Sequence, residues 1–194
     1  MRICVLMGSP RKQGNTMQAL APFLEEWEQA GHFAELIWLY EKEIRPCLAC
    51  RVCQDVMDGF GCVQKDDVEE IAQKIIEADC FVLATPIYAW YCTAPMKAML
   101  DRLVYGMNKY YGKKKGPVLW RGKPCALFLT GGYPEEESGI LFEKGMEGYC
   151  KHSRLAYQGA LFLRDFGYHT TFFTEEKAAQ SRSFAKQLMK NLGV

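Results

Sequence analysis

Short apolar runs alternate along the chain with segments whose apolar residues fall at helical spacing. The first run, Arg2 to Met7, predicts a buried strand. Further strands are expected near Ala34 to Leu39, at Cys80 to Ala84, at Cys125 to Thr130 and near Ala156 to Leu161, which contains Gly159. Cys80 to Ala84 has the unbroken apolar character of a parallel strand buried on both faces. Helical spacing predicts helices over Thr16 to Ala30, Val68 to Ala78, about Pro95 to Tyr105, part of Gly139 to Arg154, and Glu175 to Leu192. Gly31 ends the first of these, and Asp66 or Asp67 is positioned to cap the second. A cysteine-bearing loop, Arg45 to Gly61, interrupts the alternation.

Strands separated by helices imply right-handed crossovers and a parallel sheet with helices on both faces. In such sheets ligands bind beyond the carboxyl ends of the strands, where the strand order reverses. Three loops rich in polar residues, glycine or aromatics lie at those ends: Gly8 to Thr16, Thr85 to Trp90, and Thr130 to Tyr133. Elements distant in sequence therefore converge on one site. No internal repeat or low-complexity linker divides the chain, and the 194 residues are read as a single α/β domain.

Composition narrows the function. Lys+Arg is 24 and Asp+Glu is 23, which argues against a dedicated nucleic-acid surface. The basic run Lys113-Lys114-Lys115 precedes Gly116-Pro117 and reads as a solvated loop tip. No apolar run approaches a membrane span, and the chain opens on a strand rather than a signal peptide. Nine cysteines in that context point to a reducing cytoplasm, as thiols or metal ligands.

The loop Gly8-Ser9-Pro10-Arg11-Lys12-Gln13-Gly14-Asn15-Thr16 joins a strand to a helix. Its glycines permit tight turning, Ser, Asn and Thr add donors, and the helix start aims free N–H groups at whatever occupies the loop. Arg11 adds a fork of donors suited to phosphate. An ordinary turn with Asn15 or Thr16 as helix cap is the competing reading. The loop lacks the Gly-Lys-Ser/Thr ending of a P-loop and the G-x-G-x-x-G of a dinucleotide fold. Thr85-Pro86-Ile87-Tyr88-Ala89-Trp90 brings two aromatics and backbone N–H groups to a neighbouring strand end, where a flat heterocycle could pack. A phosphate at one end and a planar ring at the other describe a mononucleotide such as FMN.

These pieces, in this order, resemble the NAD(P)H-dependent FMN reductases of flavodoxin-like fold, and within them the iron–sulfur flavoprotein branch. The resemblance rests on Gly8-Ser9-Pro10-Arg11 with Gly14-Asn15-Thr16, on Thr85-Pro86-Ile87-Tyr88, on Ala94-Pro95-Met96-Lys97 with Asp101-Arg102, on Thr130-Gly131-Gly132 and on Cys62-Val63-Gln64-Lys65-Asp66-Asp67. It covers nearly the whole chain. It implies a three-layer sandwich with a five-stranded parallel sheet of order 2-1-3-4-5. It implies FMN phosphate at Ser9, Arg11, Gly14, Asn15 and Thr16. Ring and ribityl contacts are implied for Pro86, Ile87, Tyr88 and Trp90, with Thr130, Gly131 and Gly132 behind. NAD(P)H is the implied electron donor, a small molecule or protein the acceptor, and a homodimer or homotetramer the assembly. The flavin carries the redox chemistry, so no catalytic side chain is assigned. A flavodoxin-type electron carrier or redox sensor is the alternative.

Cys47, Cys50 and Cys53 form C-x2-C-x2-C, and Cys62 follows after eight intervening residues. Four thiolates from one loop can hold a [4Fe–4S] cluster. The last gap is longer than the branch usually shows, although Gly59 and Gly61 make it pliable. A zinc site and a metal-free loop stay open beside the cluster. Cys4, Cys80 and Cys125 fall in strands and read as buried apolar residues; Cys92 lies near the ring loop and Cys150 on a helix. His32, His152 and His169 carry no hydrolase-like spacing. Lys97 and Asp101 suit an i,i+4 pair and, with Arg102, read as structural. The aromatic segment Tyr105 to Trp120 covers either a neighbour's site or its own core.

Overall fold

A computed structural model describes residues 1–167 and 169–194. Its strands are β1 (Arg2–Met7), β2 (Phe33–Trp38), β3 (Cys80–Pro86), β4 (Pro124–Gly131) and β5 (Ala156–Arg164). Its α-helices are α1 (Asn15–Gln29), α2 (Val68–Glu77), α3 (Ala94–Met107), α4 (Gly139–Ser153) and α5 (Glu175–Leu192). The strands are all parallel and lie in the order β2-β1-β3-β4-β5, as expected. The order therefore reverses between β1 and β3, which places the first loop beside the loop after β3.

Period-two alternation divides the core between the two faces of the sheet. Ile3, Val5 and Met7, with Val82 and Phe128, pack under α1 and α5 against Phe23, Trp27 and Leu188. Cys4 and Leu6, with Phe81, Leu83 and Leu127, pack under α2, α3 and α4 against Ile71, Met99 and Met146. Because both faces are covered, the central strands β1, β3 and β4 read as continuous apolar runs.

Boundaries shift where pairing extends an element. β3 continues to Pro86 because Thr85 and Pro86 align with Leu129 and Thr130 of β4. β5 runs on to Arg164, three residues past the expected end, because Phe162, Leu163 and Arg164 align with Leu129, Thr130 and Gly131. The β4–β5 register slips between Cys125 and Leu127, and Gly159 takes φ +97° there, a conformation costly for any residue with a Cβ.

The aromatic segment after α3 covers its own core at Trp120, whose ring stacks on Phe81 at 5.9 Å and whose Nε1 donates to Asn108 Oδ1 at 3.0 Å. Lys113, Lys114 and Lys115 are exposed. No helix among the described residues is long and apolar enough to cross a membrane.

Candidate functional site: a cleft at the strand ends and a cysteine cavity beside it

The chain leaves β1 through Gly8, whose N–H donates to the Ala84 carbonyl at 2.7 Å. The following turn closes with Gly14 N–H on Arg11 O at 3.1 Å and Arg11 N–H on Ser9 Oγ at 3.2 Å. Gly14 is the N-cap residue of α1, and a Cβ there would lie 2.8 Å from Arg11 Cβ. Only glycine fits that approach. No side chain among the described residues caps the helix. Asn15 instead donates from Nδ2 to Asp165 Oδ2 at 2.7 Å, and the Thr16 hydroxyl shares a 2.8 Å bond with that of Thr130. Both candidate caps are thus turned toward the strand ends. The N–H groups of Asn15, Thr16 and Met17 have no protein acceptor among the described residues. That is the arrangement of a helix N-terminus open to an anion.

Beyond β3 the chain makes a two-residue reverse turn. Tyr88 and Tyr91 exchange backbone hydrogen bonds at 2.8 and 3.0 Å, with Ala89 and Trp90 at φ +47° and +64° between them. Both residues sit in the left-handed region that Asn-Gly usually fills in such turns, and strain of this kind gathers at functional sites. Ile87 N–H is bonded to Thr130 O at 2.7 Å. Of the loop's N–H groups, Ala89 and Trp90 are therefore the ones left without a protein acceptor among the described residues.

Ser9, Arg11, Asn15, Thr16, Pro86, Ile87, Tyr88, Thr130, Gly131 and Gly132 line one open cleft together with Asp165. Two expected residues stand back from it. Gly14 supports the turn from beneath. Trp90 is half-exposed outside the cleft, stacked on Tyr133 at 5.8 Å. Asp165, at the end of the extended β5, was not anticipated. Its N–H donates to Gly131 O at 2.7 Å, and its carboxylate fixes the Asn15 amide.

A second, smaller cavity lies under the cysteine loop and borders Cys47, Cys50, Cys53 and Cys62 alike. The loop turns through Ala49 and Arg51, both left-handed at φ +52° and +61°, before a short 3₁₀ turn at Val52–Asp55. Ala49 N–H donates to Cys47 Sγ at 3.4 Å. Cys50 is exposed, Cys47 and Cys62 are half-buried and Cys53 is buried. Burial pushes the Cys53 thiol up, partly offset by the Gln54 amide and the Lys109 charge. Among the described residues, no three His, Cys, Asp or Glu side chains converge on a single-ion position.

Three side chains anchor this loop. Gln54 Nε2 donates to Asn108 O at 3.0 Å, and its Oε1 accepts Tyr111 N–H at 2.8 Å. Lys109 reaches up from beyond α3 to two loop carbonyls. Arg102 of α3 donates to Arg45 O at 2.9 Å and makes a bidentate pair with Asp66 at 2.8 and 3.0 Å. Asp66 also accepts the backbone N–H groups of Arg45 and, at 3.4 Å, Val68, so it caps α2 in place of Asp67. Arg102 is structural, as its spacing implied, and it also borders the cysteine cavity. Lys97 and Asp101 form the expected pair at 2.6 Å. The remaining cysteines are inert by burial, which pushes Cys4, Cys80 and Cys92 up to about 12 and Cys125 well above its ordinary value.

Residues 1–140 match the family model for NADPH-dependent FMN reductase. An iron–sulfur flavoprotein of Methanocaldococcus jannaschii is 33% identical over 177 residues, covering 91% of this chain and 84% of that one. One from Archaeoglobus fulgidus is 33% identical over 143 residues, covering 73% of this chain and 60% of that one. Across several such relatives the match spans between 48% and 60% of their length. The fold is shared with an NAD(P)H:quinone oxidoreductase from Methanothermobacter marburgensis at a TM-score of 0.69 and 20% identity, over 99% of this chain and 98% of that one.

Proposed function

The chain belongs to the NADPH-dependent FMN reductase family, in its iron–sulfur flavoprotein branch, and from that premise we propose an FMN-binding oxidoreductase fed by NAD(P)H. The observation that carries this reading is the cleft where the order of the sheet reverses. Its one end is an uncapped helix N-terminus with Ser9 and Arg11, and its other end is the Pro86-Ile87-Tyr88 edge. The first suits a phosphate and the second a flat ring. FMN, when bound, supplies the redox chemistry, exchanging a hydride with the nicotinamide and passing electrons to an acceptor.

The chain's own residues bind and orient. Ser9 Oγ, the Arg11 guanidinium and the free N–H groups of Asn15, Thr16 and Met17 hold the phosphate. The Thr16–Thr130 bond ties the phosphate loop to the β4 end, so phosphate and ring positions stay in fixed relation. Ala89 and Trp90 N–H, left free by the reverse turn, would be this loop's donors toward charge that develops on the ring's polar edge. Gly14 and Trp90 thus act through the backbone. The acceptor is a quinone, oxygen, free flavin or a protein.

The second part of the proposal is a [4Fe–4S] cluster held by Cys47, Cys50, Cys53 and Cys62, relaying electrons to or from FMN. Four cysteines bordering one cavity suit a group that takes one thiolate per iron. The left-handed residues on either side of Cys50 make that wrapping possible from a single loop.

Fluorescence titration with FMN is expected to give tight binding, weakened about 10- to 100-fold in R11A, the worth of a charge-assisted hydrogen bond. The holoprotein then oxidises NAD(P)H with steady turnover. Bound FMN with no pyridine nucleotide turnover would replace the reductase by a flavodoxin-type carrier, and failure to bind FMN would end the proposal. We also propose a homodimer or homotetramer, for which light scattering at micromolar concentration gives at least twice the chain mass of 22.2 kDa.

A further inference from the structure

Two buried cations hold the cysteine loop, Arg102 at the edge of its cavity and Lys109 behind Cys53, and their charges are balanced differently. The Arg102 charge is matched by Asp66, and both side chains are essentially inaccessible. Arg102 Nε–H nevertheless has no hydrogen-bond partner among the described residues, although the residue borders the cavity. Lys109 is fully buried. Its Nζ donates to Cys53 O at 2.8 Å and to Phe60 O at 3.2 Å, the two carbonyls that bracket the stretch between the third and fourth cysteines. It has no ion pair with a carboxylate among the described residues. Asp58, on the same loop, is exposed.

An ammonium satisfied only by carbonyls is a net charge inside the protein, which is costly unless an anion lies close by. Beside the exposed Asp58 carboxylate, the anions this site can offer are the four cysteine thiolates. An unpartnered, buried N–H at the same cavity points the same way, since it calls for an acceptor such as sulfur. We propose that Lys109 is the fixed countercharge of an anionic iron–sulfur group at Cys47, Cys50, Cys53 and Cys62, and that Arg102 Nε–H donates to that group. The inference rests on the cluster reading above. Reduction adds one electron to a site already negative, so a fixed cation beside it favours the reduced form and raises the reduction potential. Lys109 is a positioning and tuning residue, since it holds the loop carbonyls and acts on the cluster through space.

The test is an anaerobic redox titration followed by electron paramagnetic resonance on wild type, K109Q and K109R, each with iron and sulfide measured. Gln retains N–H donors for the two carbonyls without the charge, and Arg retains the charge. K109Q is expected to disfavour reduction about tenfold, a downward shift of about 59 mV for a one-electron couple, while K109R moves less than half as far. Loss of iron from folded K109Q, with K109R still loaded, supports the same role. An unshifted midpoint in K109Q, an equal shift in K109R, or equal loss of iron or of fold from both variants overturns it. Wild type without iron and sulfide removes the cluster reading and this inference together. A loaded wild type with an insensitive K109Q removes this inference alone.

Discussion

Replacing Cys53 by alanine is expected to strip iron and sulfide to background from protein whose wild type, prepared without oxygen, carries about four irons per chain. Cys53 is the most informative of the four because its backbone is the most firmly placed. It is 7% exposed, its carbonyl is held by Lys109, and Gln54 beside it is bonded across to the end of α3. A neighbouring thiol has no route into its position without breaking those bonds. FMN binding is expected to survive the substitution, since the cleft and the cysteine cavity share no lining residue. Cys92→Ala serves as the control. That thiol is also buried, but it lies outside the loop, and its loss leaves the iron in place. Iron that persists in C53A with unchanged stoichiometry moves the cluster elsewhere. Zinc without sulfide in the wild type turns the cavity into a zinc site.

Most of the sheet was legible because its signal is local. Ile3 to Met7 and Cys80 to Ala84 are apolar at every position, which only strands covered on both faces require. The strand assignments place three loops at the carboxyl ends, and ten of the lining residues lie in those loops at positions the family resemblance singles out. Asp165 was hidden because β5 looked finished at Leu161. Gly159 weakens the strand pattern, and the pairing that extends it belongs to β4. The reverse turn after Tyr88 was hidden for a different reason. Ala89-Trp90 carries none of the Asn or Gly that announces two left-handed residues, so nothing local signalled the turn that brings the Trp90 side chain onto Tyr133.

The supports of the cysteine loop were less legible still. A lysine after a helix ordinarily reads as solvated, and Lys109 stands four residues before the run at Lys113 that is solvated. Nothing local separates the two. Burial of Lys109 is decided by the loop carbonyls it meets, which arrive from residues 53 and 60. In the same way Asp66 looked like a helix cap, and Arg102 read as structural without a partner being named. Their bond is set by how α3 crosses the start of α2, which no spacing within either segment records.

That bond carries the largest expected stability effect. Arg102→Met leaves Asp66 charged and without its guanidinium in a site where neither side chain is accessible, and is expected to cost about 3–5 kcal/mol. D66N leaves the opposite charge stranded and is expected to cost a similar amount. The double variant R102M/D66N removes both charges together, so its loss falls well short of the sum of the singles. Urea unfolding of the four proteins measures the coupling. Single losses under about 1 kcal/mol, the range of exposed pairs, would contradict the buried geometry. The pair also sets an acid limit. Burial alone raises the Asp66 carboxyl, but the Arg102 guanidinium and the Arg45 and Val68 N–H groups outweigh it and hold the carboxyl below its ordinary value. A group more acidic in the folded chain lends its full stability above the unfolded value of about 3.9. It loses that contribution as pH falls through the lower folded value. Wild-type stability therefore falls in that acid window by an increment that D66N lacks. Because Arg102 also holds the Arg45 carbonyl, R102M is expected to loosen the entry to the cysteine loop. Hydrogen exchange over residues 45–53 then rises more than over β1, whereas a purely global loss of stability raises both alike.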